Sequence, residues 1–530
     1  MGGRRLKSLL ILLAIPLFVA AKERAVRLLP LPPPPQDVFS FSEPSKVVVR
    51  HLTLDLTIDF DQRQVGGTAT LDILNFSGTS KLILDTRGLV IRSVTRDGRT
   101  EAPFTLGPAT NNGAPLTIDI EPGTRSVTID YTTSQALALV WRTAAETAGG
   151  KQPLAYSTNE PTGARTWIPI QDTPAVRVTY DATLRVPGGL LALMTAENNP
   201  IAANEAGIYS FHMGSSVPAY LIALAAGRLE FRPFDARSGL YAEPELIDNA
   251  STILRYVPDI MTAGEALCGP YPWRRYDILL LPRFGGGMEN PGINFIDSTV
   301  TADAAPSTLI SHELSHSWGG DMVTLATWSD VWLNEGLASY LQYRLIEPFV
   351  GREAVDNLWT ARRDSYVSYA KSAPSRSTLL HNPLSAGDNA VGLFGLTQYI
   401  KGALFFHTVE ETVGRDAFDR FLRDYFARFA WHYVDDVAFL KFLRQSVAAG
   451  DSDLEQRLQL DEWVYQPGLP SNAFETAPGY RQSRQVDAPQ MIANRSAADA
   501  VAIVARTAPN RSATIPVTML DTLIVRVTNP

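Results

Sequence analysis

Residues 312–335 read HELSHSWGGDMVTLATWSDVWLNE, and this stretch decides both the fold and the chemistry. His312 and His316 stand at positions i and i+4, which share one face of a helix, and Glu313 lies beside them. Both imidazoles can therefore reach one ion. Eighteen residues separate His316 from Glu335, which is room for a turn and an antiparallel helix that returns the acid over the histidines. Two imidazoles and one carboxylate form a catalytic zinc set with a fourth position open to water.

The competing interpretation of this pattern is a chance pair of histidines on a solvated helix. Residues 312–316 alone do not separate the two interpretations, but Glu335 in the sequence Asn334-Glu335-Gly336 favours the metal site. The other five histidines lie in strand, loop or helix patterns, and we interpret all of them as structural: His51, His212, His381, His407 and His432.

The composition is that of a globular protein. The chain has 530 residues, of which 45% are hydrophobic and 19% charged, and its net charge is −8. This acidic balance argues against nucleic acid as the main partner, because proteins that bind it usually carry a basic face. A single cysteine, Cys268, excludes an internal disulfide framework and an all-thiolate metal site.

The N-terminus has the pattern of an export signal. Three basic residues within 4–7 precede an apolar run at 9–19, which is too short to span a bilayer, and Val19-Ala20-Ala21 offers small residues for cleavage. We predict a signal peptide at 1–21 and an exported, periplasmic or secreted protein, the alternative being an uncleaved anchor. A second long apolar run is absent from the sequence, so we expect no membrane span after cleavage.

Hydrophobic periodicity divides the rest of the chain. A proline-rich linker at 22–39 leads to residues 40–235, where alternation such as that at 52–60 predicts an antiparallel all-β domain. Residues 236–470 mix short strands with helical spacing and predict an α+β domain, with one helix over 250–267 and another from Asp330. The tail at 471–530 is unassigned, although Met519–Val527 is typical of a strand.

A second motif, GGGMEN at 285–290, stands about 20 residues before the histidine pair. Together the two motifs resemble the zinc aminopeptidase family that includes aminopeptidase N, a group of gluzincin metallopeptidases, and most closely its leukotriene A4 hydrolase branch. Further stretches in the family's order are IQDTP at 170–174, ALMTA at 192–196, YLIAL at 220–224 and YQPGLP at 465–470. The resemblance covers roughly residues 45–470 and implies a thermolysin-like catalytic domain.

The resemblance also implies a role for each matching residue. The zinc ligands would be His312, His316 and Glu335, with one Zn²⁺ per chain. Glu313 would be the general base and proton shuttle, and Tyr399 would donate a hydrogen bond to the oxyanion. Backbone groups of Gly286 and Gly287 would line the substrate cleft. Glu289, with Glu160 as a second acid, would bind the free α-amino group of a peptide, which implies an aminopeptidase.

The chain also departs from the family pattern. Where the leukotriene branch has an acid and a second tyrosine, the spacing leads to Val391 and Phe394, which puts epoxide hydrolysis in doubt. We expect the family's large helical C-terminal domain to be missing or divergent in this chain. A zinc endopeptidase, an epoxide hydrolase and an inactive peptide-binding relative remain open alternatives, as do the oligomeric state and the preferred N-terminal residue.

Overall fold

Alternating side chains build the first domain. In the strand Val47–Asp59, which we call β1, Leu52, Leu54 and Leu56 are buried while the residues between them are exposed.

The computed structural model describes residues 34–474, except 135, 304, 305 and 389. The other strands of this domain are β2 Gln64–Asn75, β3 Lys81–Thr86, β4 Leu89–Arg96, β5 Thr100–Glu101, β6 Phe104–Leu106, β7 Ala114–Asp119, β8 Ser126–Thr133, β9 Leu139–Arg142, β10 Leu154–Ser157, β11 Arg177–Arg185, β12 Leu191–Met194, β13 Ile208–Pro218 and β14 Leu224–Gly227.

These strands form three sheets. A seven-stranded sheet has the order β13-β11-β1-β2-β8-β4-β5, a four-stranded sheet the order β12-β14-β10-β9, and a three-stranded sheet the order β3-β7-β6. The all-β prediction is confirmed. One detail needs correction, because β1 and β11 pair in parallel, from His51 opposite Thr179 to Thr57 opposite Arg185. Alternation shows which face of a strand is buried but not which strand lies beside it or in which direction.

A mixed five-stranded sheet opens the second domain. Its strands are β15 Glu230–Pro233, β16 Ser238–Ala242, β17 Tyr276–Leu281, β18 Gly287–Met288 and β19 Ile293–Asp297, and a short pair consists of β20 Val323–Leu325 and β21 His432–Val434. The sheet order is β15-β16-β17-β19-β18, so the two-residue β18 lies at the edge. The predicted boundary at 235/236 falls in the turn between β15 and β16, because a change of pattern does not reveal that β15 pairs with the following strand.

Ten α-helices complete the described part of this domain. They are α1 Pro244–Ile253, α2 Val257–Cys268, α3 Thr308–His316, α4 Val331–Val350, α5 Arg352–Ala370, α6 Gly402–Val413, α7 Arg415–Phe429, α8 Asp436–Leu443, α9 Ser452–Leu458 and α10 Leu460–Tyr465. The helix predicted over 250–267 is two helices: α1 ends at Ile253, and α2 begins at Val257 with Pro258 in its first turn. Proline is favoured at a helix start, and the apolar spacing continues across the break.

Helix α4 is the centre of the second domain. Its residues from Val331 to Tyr343 are all buried, which is typical of a helix enclosed on every side. It crosses α6 closely, since a Cβ on Gly336 would lie 2.7 Å from the Cα of Gly402. Glycine at both positions lets the two backbones meet, and this contact places α4 against the helix that follows Tyr399.

The α+β prediction for the second domain is confirmed, and in the described part of the chain no separate helical domain follows α10. The predicted signal peptide at 1–21, most of the linker at 22–39 and the tail from 475 onward lie outside the described residues. Export therefore stays a prediction from the sequence. Between residues 34 and 474 no described helix is both long and apolar enough to cross a membrane.

Candidate active site and metal centre

The two histidines of the first motif converge on the buried face of α3. They are one helical turn apart, and their Nε2 atoms are 3.1 Å from each other. His312 is 9% exposed and His316 is 1% exposed. Two buried imidazoles whose Nε2 atoms converge have the geometry that a shared metal ion requires.

Glu335 comes from the next helix. It lies in the second turn of α4, which packs against α3, and its side chain is buried. Its Oε2 atom is 3.2 Å from Nε2 of His312 and 3.5 Å from Nε2 of His316. The structure thus brings together all three predicted ligands, although they are separated by a turn and a short strand in the sequence.

The three donor atoms fit a zinc ion. In a tetrahedral site with bonds of about 2.0–2.1 Å, neighbouring ligand atoms are about 3.3 Å apart. The donor-to-donor distances of 3.1, 3.2 and 3.5 Å agree with that spacing. Burial opposes the charge of Glu335, but hydrogen bonds from His312 and His316 outweigh it and lower the pKa of Glu335 to about 2. The Glu335 side chain is therefore a charged carboxylate, which is the form that binds a metal ion.

Two amide side chains of α4 orient the imidazoles. Nδ1 of His312 is 2.9 Å from Oε1 of Gln342, and Nδ1 of His316 is 2.9 Å from Oδ1 of Asn334. An amide oxygen only accepts, so each Nδ1 carries a proton, which leaves Nε2 as the atom that would bind a metal. Neither amide was predicted from the sequence. Gln342 stands seven residues after Glu335, on the same helix face, and this spacing is the signal that could have identified it.

Glu313 faces the edge strand β18. Its carboxylate is buried, and a Cβ added to Gly287 would lie 2.1 Å from Oε1 of Glu313. Burial, together with the charges of Glu289 and Glu335, raises the pKa of Glu313. Strand β18 therefore passes directly over the acid, and only a glycine allows that approach.

Replacing Gly287 by alanine is expected to lower kcat/KM by about 10²-fold, because the new methyl group displaces the Glu313 carboxylate from its place. The measurement is the steady-state rate with an aminoacyl chromogenic amide, together with the zinc content. Gly123→Ala is the control, since no atom lies within 4 Å of the added Cβ there. Equal rates for both variants would contradict the close approach of β18 to Glu313.

Two further acids lie beside the triad. Glu289 follows β18, is 2% exposed and accepts a hydrogen bond of 3.3 Å from Nδ2 of Asn334. Glu160 lies in the turn after β10, and its Oε1 is buried without a hydrogen-bond partner. Burial and the charge of Glu289 raise the pKa of Glu160 well above its ordinary value. Two neighbouring carboxyl groups with an unsatisfied oxygen offer a place for a cation.

Tyr399 lies against the triad at His312. It lies in a π-helical turn, Thr397–Lys401, which leads into α6, and its ring stacks on His312 with ring centroids 5.9 Å apart. Burial and the charge of Glu335 raise the pKa of Tyr399 well above its ordinary value, so the phenol keeps its proton. Such π-turns are frequent at functional sites.

A cavity of about 500 Å³ unites these groups. All the predicted site residues line it: Glu160, Gly286, Gly287, Glu289, His312, Glu313, His316, Glu335 and Tyr399. Phe394 lines it as well, in a region where the leukotriene pattern would place polar side chains. Three arginines that were not predicted as site residues also line it: Arg142, Arg283 and Arg362.

In this chain an all-β domain is followed by a domain with a buried His-His-Glu zinc triad. This combination defines a zinc-dependent metallopeptidase, which is a hydrolase with one catalytic zinc. Two family domains match the chain. The Peptidase M1 N-terminal domain matches residues 48–221, and the Peptidase family M1 domain matches residues 255–463. The chain belongs to the peptidase M1 family, and the resemblance to its leukotriene A4 hydrolase-like branch is confirmed.

Three known proteins illustrate the relationship. Leucine aminopeptidase 2-1 of Meyerozyma guilliermondii is 32% identical over 450 residues, which cover 82% of this chain and 72% of the relative. Yeast leukotriene A4 hydrolase in complex with bestatin superposes with a TM-score of 0.77 at 29% identity, covering 83% of this chain and 71% of that chain. An M1 zinc metallopeptidase variant from Deinococcus radiodurans, bound to a Tyr-Ser-Ala substrate, has the same fold with a TM-score of 0.66 at 23% identity, covering 83% of this chain and 100% of that chain.

Proposed function

We propose that this chain is a zinc aminopeptidase, which removes single residues from the N-terminus of peptides. The observation that carries the proposal is the pair of acids, Glu160 and Glu289, beside the zinc triad. The relative from Meyerozyma guilliermondii is named a leucine aminopeptidase, which supports the same activity.

The two acids favour a free N-terminus for an electrostatic reason. The α-amino group of a peptide is a cation, and its arrival favours the charged form of both acids. In a buried cavity the resulting attraction is far stronger than in water. An internal peptide segment has no such charge and would leave Glu160 with its buried oxygen still unsatisfied. The acids therefore fix the distance between the N-terminus and the reaction centre, which restricts cleavage to the first peptide bond.

The remaining residues perform the hydrolysis. Zinc, when held by the triad, lowers the pKa of a water molecule to about 7 and polarises a carbonyl group. Glu313 takes the proton from the attacking water and delivers it to the leaving amine. The protonated phenol of Tyr399 donates a hydrogen bond to the oxyanion that forms at the first carbonyl carbon. Gly287 in β18 and Gly286 just before it leave the backbone open to pair with the substrate.

Replacing Glu289 by glutamine tests the amine anchor. We expect kcat/KM for aminoacyl chromogenic amides to fall by about 10²-fold, mostly through KM, because a charge-assisted hydrogen bond becomes a neutral one. Glu462→Gln is the matched control, since Glu462 is an exposed residue of α10. If Glu289→Gln hydrolysed free-amine substrates as fast as the control, the amine anchor would be wrong.

Substrates with a blocked N-terminus separate the alternatives. An aminopeptidase leaves N-acetylated peptides intact, whereas a zinc endopeptidase with the same triad cleaves within them. Zinc bound in a one-to-one ratio without any turnover would favour an inactive peptide-binding relative. Epoxide hydrolysis has the weakest support, because Phe394 offers the cavity neither an acid nor a phenol.

A further inference from the structure

A second cluster of metal-binding side chains lies away from the catalytic cavity. It consists of Asp330, His381 and Asp436, and one ligand atom of each lies within 4.8 Å of the other two. Nδ1 of His381 is 3.0 Å from Oδ2 of Asp436 and 3.8 Å from Oδ1 of Asp330. None of the three residues lines the cavity, so neither the zinc chemistry nor the amine anchor uses them.

Three elements that are far apart in the sequence supply these side chains. Asp330 is the N-cap of α4, the helix that carries the zinc ligand Glu335, and Asp436 is the first residue of α8. His381 lies in the segment between α5 and the π-helical turn of Tyr399. An ion bound here would therefore join the starts of two helices to the loop that precedes Tyr399.

The two acids are buried and have little positive charge near them. Asp330 is 2% exposed and Asp436 is 3% exposed. Among the described residues, His381 is the one basic side chain within ion-pair distance of either acid. With a neutral imidazole the cluster carries two negative charges in the interior, which is costly. A proton on His381 offsets one of these charges, whereas a divalent cation offsets both.

The ligand atoms of His381 and Asp436 are not used by hydrogen bonds. Nδ1 of His381 and Oδ2 of Asp436 are both buried without a hydrogen-bond partner, although they are 3.0 Å apart, so the ring is not aligned for a direct bond. Oδ1 of Asp330 accepts from the backbone N–H of Asp436 at 3.3 Å and keeps a second lone pair. One third of the His381 side chain is exposed, which gives a hydrated ion a path from solvent.

We propose that Asp330, His381 and Asp436 bind a divalent cation of the Mn²⁺ class, which fastens the start of α4 to α8. An imidazole and two carboxylates suit such an ion, which keeps part of its water shell. With bonds of about 2.0–2.6 Å, neighbouring ligand atoms of an octahedral ion are about 2.8–3.7 Å apart. The 3.0 Å distance lies in this range and the 3.8 Å distance is close to its upper end. This role goes beyond the structural one predicted for His381 from the sequence, and it does not depend on the proposed function.

Titration of the zinc-loaded chain with Mn²⁺ tests the site apart from catalysis. Zinc binds a given set of nitrogen and oxygen ligands more tightly than manganese does, so the catalytic triad keeps its zinc. Electron paramagnetic resonance measures the free Mn²⁺, and we expect one bound ion per chain. In His381→Gln and in Asp436→Asn the Kd for Mn²⁺ should rise about tenfold or more. In the parent chain labelled with ¹⁵N-histidine, the electron spin echo of the bound Mn²⁺ should show coupling to an imidazole nitrogen, a readout that needs no variant.

His212→Gln is the matched control. His212 also pairs with an aspartate, Asp181, at 2.8 Å, but both side chains are more than half exposed and lie on β13 and β11 of the first domain. This variant should keep the Kd of the parent chain. Mn²⁺ should also raise the thermal midpoint of unfolding of the parent and of His212→Gln, but not that of His381→Gln.

Two results would overturn the inference. One is the absence of saturable Mn²⁺ binding up to about 1 mM, the weak end of natural cation sites, and the other is an equal Kd in His381→Gln and His212→Gln. The cluster would then be an imidazolium ion between two carboxylates. Failure of the chain to hydrolyse any free-amine substrate would instead overturn the proposed function, and it would leave the Mn²⁺ titration unchanged.

Discussion

Replacing Glu313 by glutamine is expected to lower kcat for peptide hydrolysis by about 10³-fold, while zinc binding and KM change little. General acid–base catalysis by a positioned side chain contributes about 10²–10⁴-fold, and Glu313 is the acid that faces β18 across the reaction centre. Glutamine keeps the shape and the buried contacts but accepts no proton. The measurement is kcat for an aminoacyl chromogenic amide, with the zinc content determined on the same preparation.

The control for Glu313→Gln comes from the same helix. The Ser315 hydroxyl donates to the Ser311 carbonyl within α3, so Ser315→Ala removes only a bond internal to the helix and should keep nearly full activity. A loss of zinc in Glu313→Gln would mean that the acid supports the metal site instead of the proton transfer. Retention of more than a tenth of the wild-type kcat would contradict the role of Glu313 as general base.

The zinc triad could be predicted because its signal is local. An i, i+4 pair of histidines fixes two ligands on one face before anything is known of the tertiary fold. The third ligand, Glu335, follows His316 after eighteen residues, which is enough chain for a turn and a second helix that bring its side chain back to the histidines. The role of Asn334 could not be predicted in this way. Its bonds to His316 and Glu289 join α4 to α3 and to the loop after β18, and these contacts exist only once the domain is packed.

The same distinction between local and long-range signals explains where the prediction of the fold was wrong. Alternation predicted the strands of the first domain, but the parallel pairing of β1 with β11 joins segments more than a hundred residues apart. The break between α1 and α2 lies within a continuous apolar pattern, so it follows from packing and not from periodicity. Arg142 and Arg283 are ordinary in the sequence, and the hydrogen bond from Arg142 to the Arg283 carbonyl, across the domain boundary, exists only in the folded chain.

Removing zinc is expected to abolish hydrolysis and also to lower the thermal midpoint of unfolding. A metal that binds the folded chain but not the unfolded chain stabilises the folded state. Here its ligands would be one buried carboxylate and two imidazoles, whose donor atoms lie within 3.5 Å of one another. Chelation followed by an equimolar addition of Zn²⁺ should restore both activity and the unfolding temperature. The measurements are activity, metal content and differential scanning calorimetry on one sample.

Glu335→Gln makes the same test at a single ligand. The amide keeps the volume but loses the charge that attracts the ion, so we expect zinc affinity to fall by more than about 10²-fold and activity to fall with it. Glu347→Gln is the matched control, because Glu347 lies on the same helix α4 and pairs with Arg415 away from the cavity. That pair is partly exposed, so its loss costs only about 0–1 kcal/mol and should leave zinc in place. If Glu335→Gln bound zinc as tightly as Glu347→Gln, the ion would not sit between α3 and α4, and both the catalytic and the amine-anchoring roles assigned around it would fail together.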